Sequence, residues 1–278
     1  MPELPEVESV RRVLEQVLVG QVITKAEAVP DEIVFGGQDE AAIEQALRGS
    51  TVASVGRRGK VFWLELDSKR WLVGHLGMSG WVREIGAPDH RLLNHGNAAL
   101  DDPEGRPRFL KLLLTVADGR QVAFTDGRRL ARIKLQSGAL DLGPNVGRDV
   151  LLQPYSAAEL AAALSNRKGP IKSLLLDQVL FAGIGNWVAD EVLYHAGIAP
   201  HRTGHSLNSD ETARLAAAIA SIVQQAVAVN AESEKFPPEW LFHARWGGKK
   251  GSGKWHGEDV VRESIGGRTT AWVPARQS

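Results

Sequence analysis

The chain has 278 residues, enough for two domains of ordinary size with substantial cores. It contains no cysteine, which excludes disulfides, thiolate metal sites and cysteine nucleophiles. Lys plus Arg equals Asp plus Glu at 33 each, so any phosphate-binding surface must come from charge segregation rather than a basic whole.

The N-terminus lacks a basic stretch followed by an apolar run, and no segment approaches the roughly 20 apolar residues of a spanning helix. The expectation is an intracellular protein, not secreted: cytoplasmic or nucleoid-associated in a bacterium, nuclear in a eukaryote. Segregated charge is visible along the chain. Arg57, Arg58 and Lys60 form one basic cluster, and Arg128, Arg129, Arg132 and Lys134 form another. From Lys235 onward there are eight basic residues and four acidic ones.

Residues 3–18 read as a helix: Val7, Val10, Leu14, Val17 and Leu18 recur at helical spacing, and Pro5 is tolerable in a first turn. From about 21 to 136 the pattern changes to short apolar runs. Residues 61–66, 71–75, 110–116 and 121–125 read as strands, with Asp118-Gly119 as a turn. This part reads as an antiparallel β sandwich or barrel carrying a helix. A Gly- and Pro-containing stretch, 138–147, reads as a linker. Beyond it the chain turns helical. Ser156 with Glu159 and Asn208 with Glu211 have capping-box spacing, the second ahead of the strongest helix, 213–229. Between them Gly183-Ile184-Gly185-Asn186 forms a glycine turn opening onto a helix over 187–195. Pro237-Pro238 ends the helical part, and the Gly-rich tail reads as a small hairpin. The expected class is therefore α+β. Its domains are a β-sandwich domain over 1–137, a linker over 138–147, a helical domain over 148–235 and a tail over 236–278.

The chemistry-bearing feature is the opening, Met1-Pro2-Glu3-Leu4-Pro5-Glu6. Removal of an initiator methionine before proline exposes a secondary amine. An α-amine titrates near about 8, so part of it is unprotonated and nucleophilic at neutral pH. Such an amine can attack a sugar C1′ and form an iminium, as lysine amines do with carbonyl carbons. Glu3 lies beside it as a candidate proton carrier, and Glu6 lies one turn on. Prolines and glutamates also favour any first helical turn, so composition alone leaves that plainer explanation open.

The complete string Met1-Pro2-Glu3-Leu4-Pro5-Glu6-Val7-Glu8 resembles the start of the formamidopyrimidine-DNA glycosylase and endonuclease VIII family. The similarity continues in order. Arg58-Gly59-Lys60 resembles the family's catalytic-lysine loop, and His75-Leu76-Gly77-Met78-Ser79-Gly80 its void-filling loop. Asp126-Gly127-Arg128-Arg129-Leu130 resembles its second wedge loop, although the family often has Phe where Leu130 stands. Residues 170–172 through 183–186 to 189–191 resemble its helix–two-turn–helix motif. The resemblance implies roles: Pro2 as nucleophile, Glu3 as proton shuttle, Glu6 as support for the amine, and Lys60 in phosphate contact and strand cleavage. It places His75, Met78, Arg128, Leu130, Lys172, Asn186 and Arg268 at DNA. Met78 would fill the void left by an extruded base, and Asn186 would hold phosphate at the mouth of a helix.

The tail resembles the family's zinc finger without its metal. Gly253, His256, Val273 and Arg276 stand where four cysteine ligands are expected, and a lone histidine cannot hold structural zinc. A zincless finger is expected, held by packing of Trp255, Val260, Ile265 and Trp272, and most similar to the plant and fungal branch. The stretch from Ala231 to Trp240 is short where bacterial members carry a longer loop over flipped 8-oxoguanine, which implies an open lesion pocket. The resemblance implies a bifunctional glycosylase and abasic-site lyase acting on formamidopyrimidines and hydantoins, more weakly on 8-oxoguanine, by β,δ-elimination. It implies a monomer needing no metal or organic cofactor, with double-stranded DNA bearing oxidised bases or abasic sites as partner. A non-catalytic relative that binds damaged or structured DNA is the alternative.

Overall fold

The computed structural model describes residues 1–87, 101–102, 105–246 and 253–278. Lys249 and Lys250, part of the basic excess of the tail, lie outside the described residues. The chain divides into two compact units: 1–144 with 230–233, and 145–229 with 234–278.

The first unit opens with α1 (Leu4–Leu18). Its Val7, Val10, Leu14, Val17 and Leu18 side chains form one apolar stripe, each at most 1% exposed. That stripe packs into a core shared by two four-stranded antiparallel sheets. One sheet has the order β1-β6-β7-β5, built from β1 (Ile23–Ala28), β5 (Trp81–Glu84), β6 (Leu110–Val116) and β7 (Gln121–Thr125). The other has the order β2-β3-β4-β8, from β2 (Val52–Arg58), β3 (Val61–Leu66), β4 (Arg70–His75) and β8 (Arg132–Ser137). Strand alternation is clean in β6, where Leu110, Leu112, Leu114 and Val116 are buried and the residues between them are not. The antiparallel sandwich expected from the sequence is therefore present. Two short helices interrupt the all-strand expectation: α2 (Glu32–Phe35) and α3 (Glu40–Leu47), capped by the carboxylates of Asp31 and Asp39.

The second unit carries α4 (Ala157–Leu164), α5 (Ile171–Leu175), α6 (Asn186–Ala196), α7 (Ser209–Ala228) and the single turn α8 (Phe242–Arg245). Both expected capping boxes form, at Ser156 with Glu159 and at Asn208 with Glu211. Gly197 ends α6 in the left-handed conformation at φ 69°.

The tail extends the expected hairpin to three strands in the order β11-β10-β9: β9 (Gly253–Trp255), β10 (Glu258–Ile265) and β11 (Arg268–Trp272). Both connections are two-residue turns with positive φ at each central residue, His256-Gly257 and Gly266-Gly267, the twist that suits antiparallel strands. Val260, Ala271 and Val273 pack with Leu241, and Trp255 lies against them partly buried. Ile265 is buried, whereas Trp272 is only half-buried, with its indole N–H on Glu263 (2.7 Å) and its ring edge-on to His201. The four positions where the resemblance places cysteines do not make a zinc-binding set. Val273 is fully buried among apolar side chains, Gly253 has no donor, and Arg276 brings a positive charge.

Candidate functional site

The start of α1 is closed by one of its own side chains: the Glu6 carboxylate accepts the Glu3 N–H at 2.9 Å. Glu3 is 2% exposed and Glu6 0%, and Pro2 is buried beside them. A glutamate pair withdrawn from solvent here does not serve as ordinary surface charge. Pro2 follows Met1, so its nitrogen is an amide in this form of the chain.

Two residues further along α1, Glu8 forms a buried ion pair with Arg57 at 2.9 Å, the Arg57 side chain being 1% exposed. Arg57 also donates to the Gly59 carbonyl at 2.9 Å. Gly59 and Lys60 form the two-residue turn between β2 and β3, and Gly59 has φ 58°, a glycine-favouring value. Arg57 is therefore not part of a basic surface. It ties the turn bearing Lys60 to α1, whose first turn holds Glu6 and which Pro2 and Glu3 directly precede.

The same end of the sheet collects the next residues. Val61, directly after Lys60, pairs with His75, and His75 pairs with Arg132. Burial, with the positive charges of Lys60 and Arg132, holds the His75 imidazole below its usual range. Its Nδ1 accepts the Gly77 N–H at 3.0 Å, which requires that nitrogen to be unprotonated.

Met78 follows on an exposed loop tip and is 42% exposed; Leu130 is 38% exposed on the neighbouring loop, with Arg128 also exposed. Exposure of Met78 decides against its packing in a core. Arg129, next to Arg128, turns the other way: at φ 57° its guanidinium reaches the Asp31 carboxylate at 3.0 Å. Burial would raise Asp31, but Lys111, the Val34 N–H and Arg129 outweigh it and lower the carboxyl to about 2. Arg132 donates to the Ala131 carbonyl. The second basic cluster thus presents Arg128 outward while Arg129 is held by the fold.

In the second unit α6 begins at Asn186, just after Gly183 (φ 107°) and Gly185. Gln178 joins the two turns before it, donating to the Leu176 and Ile184 carbonyls and accepting the Gly183 N–H. Asn186 donates to the Thr269 carbonyl at 2.8 Å, which sets it beside Arg268. Its Oδ1 is buried and accepts no hydrogen bond from the described residues, and it lies at the electropositive end of an eleven-residue helix. Arg268 is exposed at the start of β11, and its guanidinium makes no hydrogen bond or ion pair among the described residues. The turn before it sits directly on α5, where a Cβ on Gly266 would come within 2.1 Å of the Ser173 hydroxyl.

Lys172 departs from its expected place at DNA. It is 0% exposed, and its ammonium binds the Asn186 carbonyl at 2.7 Å and Asp190 at 2.5 Å. Asp190 also accepts from Arg245 at 2.7 Å and from the Ala271 N–H at 3.2 Å. Lys172 supports the turn and α6 from beneath. Asp190 and Gln178 are the residues that hold this arrangement, and neither was singled out from the sequence. Asp190 lies within the 189–191 motif, but only its burial between two cations reveals its task.

Comparison with known proteins identifies the family. Residues 1–133 match the family model described as the formamidopyrimidine-DNA glycosylase N-terminal domain, and residues 146–237 match the formamidopyrimidine-DNA glycosylase H2TH domain. A formamidopyrimidine-DNA glycosylase of Arabidopsis thaliana is 38% identical over 280 residues, covering all of this chain and 71% of that protein. One from Desulfitobacterium hafniense is 33% identical over 302 residues, covering both chains fully. The structure of Lactococcus lactis formamidopyrimidine-DNA glycosylase bound non-covalently to DNA containing an abasic site superposes with TM-score 0.80 at 29% identity, over 99% of each chain. A structure of MutM in complex with DNA containing carbocyclic 8-oxo-G gives TM-score 0.80 at 27% identity, over the whole of both. The chain belongs to the formamidopyrimidine-DNA glycosylase family.

Proposed function

We propose that this chain is a bifunctional glycosylase and abasic-site lyase that removes oxidised bases from double-stranded DNA through a covalent intermediate on Pro2. The observation that carries the reading is the buried Glu3–Glu6 pair at the start of α1, tied through Glu8 and Arg57 to the turn bearing Lys60. With Met1 removed, the Pro2 nitrogen attacks C1′ of the damaged nucleotide and the base departs with a proton. Glu3 gives a proton to the ring oxygen O4′ as the C1′–O4′ bond breaks, which opens the sugar to the iminium, and Glu6 supports the amine. The iminium acidifies the neighbouring sugar carbon, so the 3′-phosphate and then the 5′-phosphate leave by successive elimination, assisted by Lys60. Met78 and Leu130 occupy the gap in the stack, and Arg128 probes the opposite strand. His75, Asn186 and Arg268 grip the backbone. The protein amine supplies the covalent chemistry, so the reaction as proposed calls on no metal or organic cofactor, and the active species is a monomer.

Substrate range follows from the segment that covers the lesion in longer relatives. Here Phe236 and Trp240 are buried in a ring cluster with Trp187 and Phe242, tilted against one another and edge-on to Phe242, at ring separations of 4.9 to 6.4 Å. A segment fixed this way is not a free flap, which supports an open pocket. Formamidopyrimidines and hydantoins should be excised well and 8-oxoguanine opposite cytosine poorly. Single-turnover excision from matched duplexes tests this: equal rates on formamidopyrimidine and 8-oxoguanine would refute the open pocket, and strand ends lacking phosphate would refute β,δ-elimination.

A further inference from the structure

We propose that Asp126 is a positioning residue that couples the Met78 loop to the Arg128–Leu130 loop, so that both tips enter the duplex as one unit. Asp126 is 1% exposed. One carboxylate oxygen accepts the Ser79 hydroxyl at 2.5 Å and the Arg128 N–H at 3.0 Å. The other accepts the Leu130 and Ala131 N–H groups, both at 2.6 Å. Four donors fill the acceptor capacity of an ionised carboxylate, and hydrogen bonds to an ionised acceptor are the strong ones. Three of those bonds shape its own loop. The fourth, to Ser79, crosses to the other loop.

Backbone packing joins the loops independently. Gly77 has φ 60°, and a Cβ there would lie 2.3 Å from the Leu130 carbonyl oxygen. A Cβ on Gly80 would lie 3.0 Å from the Ala131 Cβ. At Gly77 only glycine permits this approach. The Asp126 N–H further donates to the Phe109 carbonyl at 2.9 Å, anchoring the hub to the start of β6. The bases of the two loops are thus clamped together while Met78 and Leu130 project into solvent at their tips. A residue buried beneath the tips acts by holding them, not by touching DNA.

The inference rests on the reading of the chain as a base-extruding enzyme. Two separately hinged wedges would insert independently, and their truncations would add in free energy. Two wedges on one rigid base insert together, so truncating either spoils the other's insertion and the effects are not additive. Ser79 is the selective handle, because Ser79→Ala cuts the cross-loop arm and leaves the other three Asp126 bonds.

The experiment is a double-mutant cycle of Met78→Ala and Leu130→Ala on the rate of base extrusion, read by 2-aminopurine fluorescence beside the lesion. The cycle is run in the otherwise unaltered full chain, in Ser79→Ala and in Ser79→Thr, which keeps the hydroxyl. The expected result is a coupling of at least about threefold in the unaltered chain, retained with threonine and clearly weakened with alanine, where only the backbone packing of Gly77 still joins the loops. Additive effects in the unaltered chain, or coupling undiminished by Ser79→Ala, would overturn the proposal. Borohydride trapping on a preformed abasic site, which carries no base to extrude, should be unchanged by Ser79→Ala. A fall in trapping equal to the fall in extrusion would show a general structural loss and also overturn it. Failure of the unaltered, processed chain to trap at all would refute the lyase reading and leave the fluorescence cycle to decide the coupling.

Discussion

Replacing Asp190 should damage the second unit far more than replacing Lys172, although the two form a single ion pair. Asp190 is 1% exposed and serves two buried cations, Lys172 and Arg245. Asp190→Asn keeps the shape and removes the charge, leaving two cations without their anion. Breaking one buried pair costs about 3–5 kcal/mol. Taking about 4 kcal/mol, the melting temperature should fall by roughly 8–16 °C for a domain of this size. Lys172→Met leaves Asp190 with Arg245 and the Ala271 N–H, and replaces an aliphatic stem by one of similar length. Its cost should be closer to about 2 kcal/mol, the value of a charge-assisted hydrogen bond. Thermal melts measure both. The same variants decide what Lys172 does. A lysine on phosphate contributes about 0.9 to the slope of log affinity against log salt on duplex DNA. Arg268→Ala should lower that slope by about 0.9, and Lys172→Met should leave it unchanged. A lowered slope with an unaltered melt in Lys172→Met would refute the assignment of Lys172 as a buried support.

Three further outcomes follow from the first unit. Asp31, lowered to about 2 from an ordinary 3.8, contributes stability that is present above pH 3.8 and is lost as the pH falls through about 2. Asp31→Asn should therefore cost on the order of 2 kcal/mol at pH 7 in urea denaturation, with the deficit shrinking in acid. His75, depressed below an ordinary 6.5, keeps its bond to the Gly77 N–H above that pH and loses it as the pH falls through the lowered value. Single-turnover excision should fall over that acidic window, and His75→Asn should remove this limb of the pH profile. Arg57→Met cuts the tie between α1 and the Lys60 turn. Glu8 retains Arg11 at 3.0 Å, so the cost should stay near about 2 kcal/mol, while strand cleavage should fall about tenfold or more, as a 1 Å misplacement of a reacting group can cost more than that. Gel analysis of excision and cleavage in parallel checks it.

Four of the eight described sandwich strands, β3, β4, β6 and β7, and the long helices are legible because their apolar periodicity is strong, whereas β1, β2, β5 and β8 carry polar or charged residues that blur it. Leu110 to Val116 alternates almost perfectly, and α7 announces itself through Asn208, Glu211 and an alanine-rich run. The four residues of α2 are too few to show any period, and only the capping pattern at Asp31 marks it. Charge was the poorest guide. Arg57, Arg129 and Lys172 read as candidate surface cations, yet each is committed to a carboxylate: Glu8, Asp31 and Asp190. Those partners lie 49, 98 and 18 residues away, separations that carry no local signal. The tips that remain outward, Met78, Arg128 and Leu130, sit on motifs that sequence alone made visible. The hub beneath them, Asp126, was visible only as a letter of one motif.

The most direct test of the account is borohydride trapping on an oligonucleotide containing an abasic site. The processed chain, Pro2→Gly and a form retaining Met1 are compared, with mass spectrometry fixing the N-terminus of each. The account predicts a covalent adduct with the processed chain that is lost or sharply reduced in the other two. A processed chain that binds the DNA and forms no adduct would contradict it and identify a non-catalytic binder of damaged DNA.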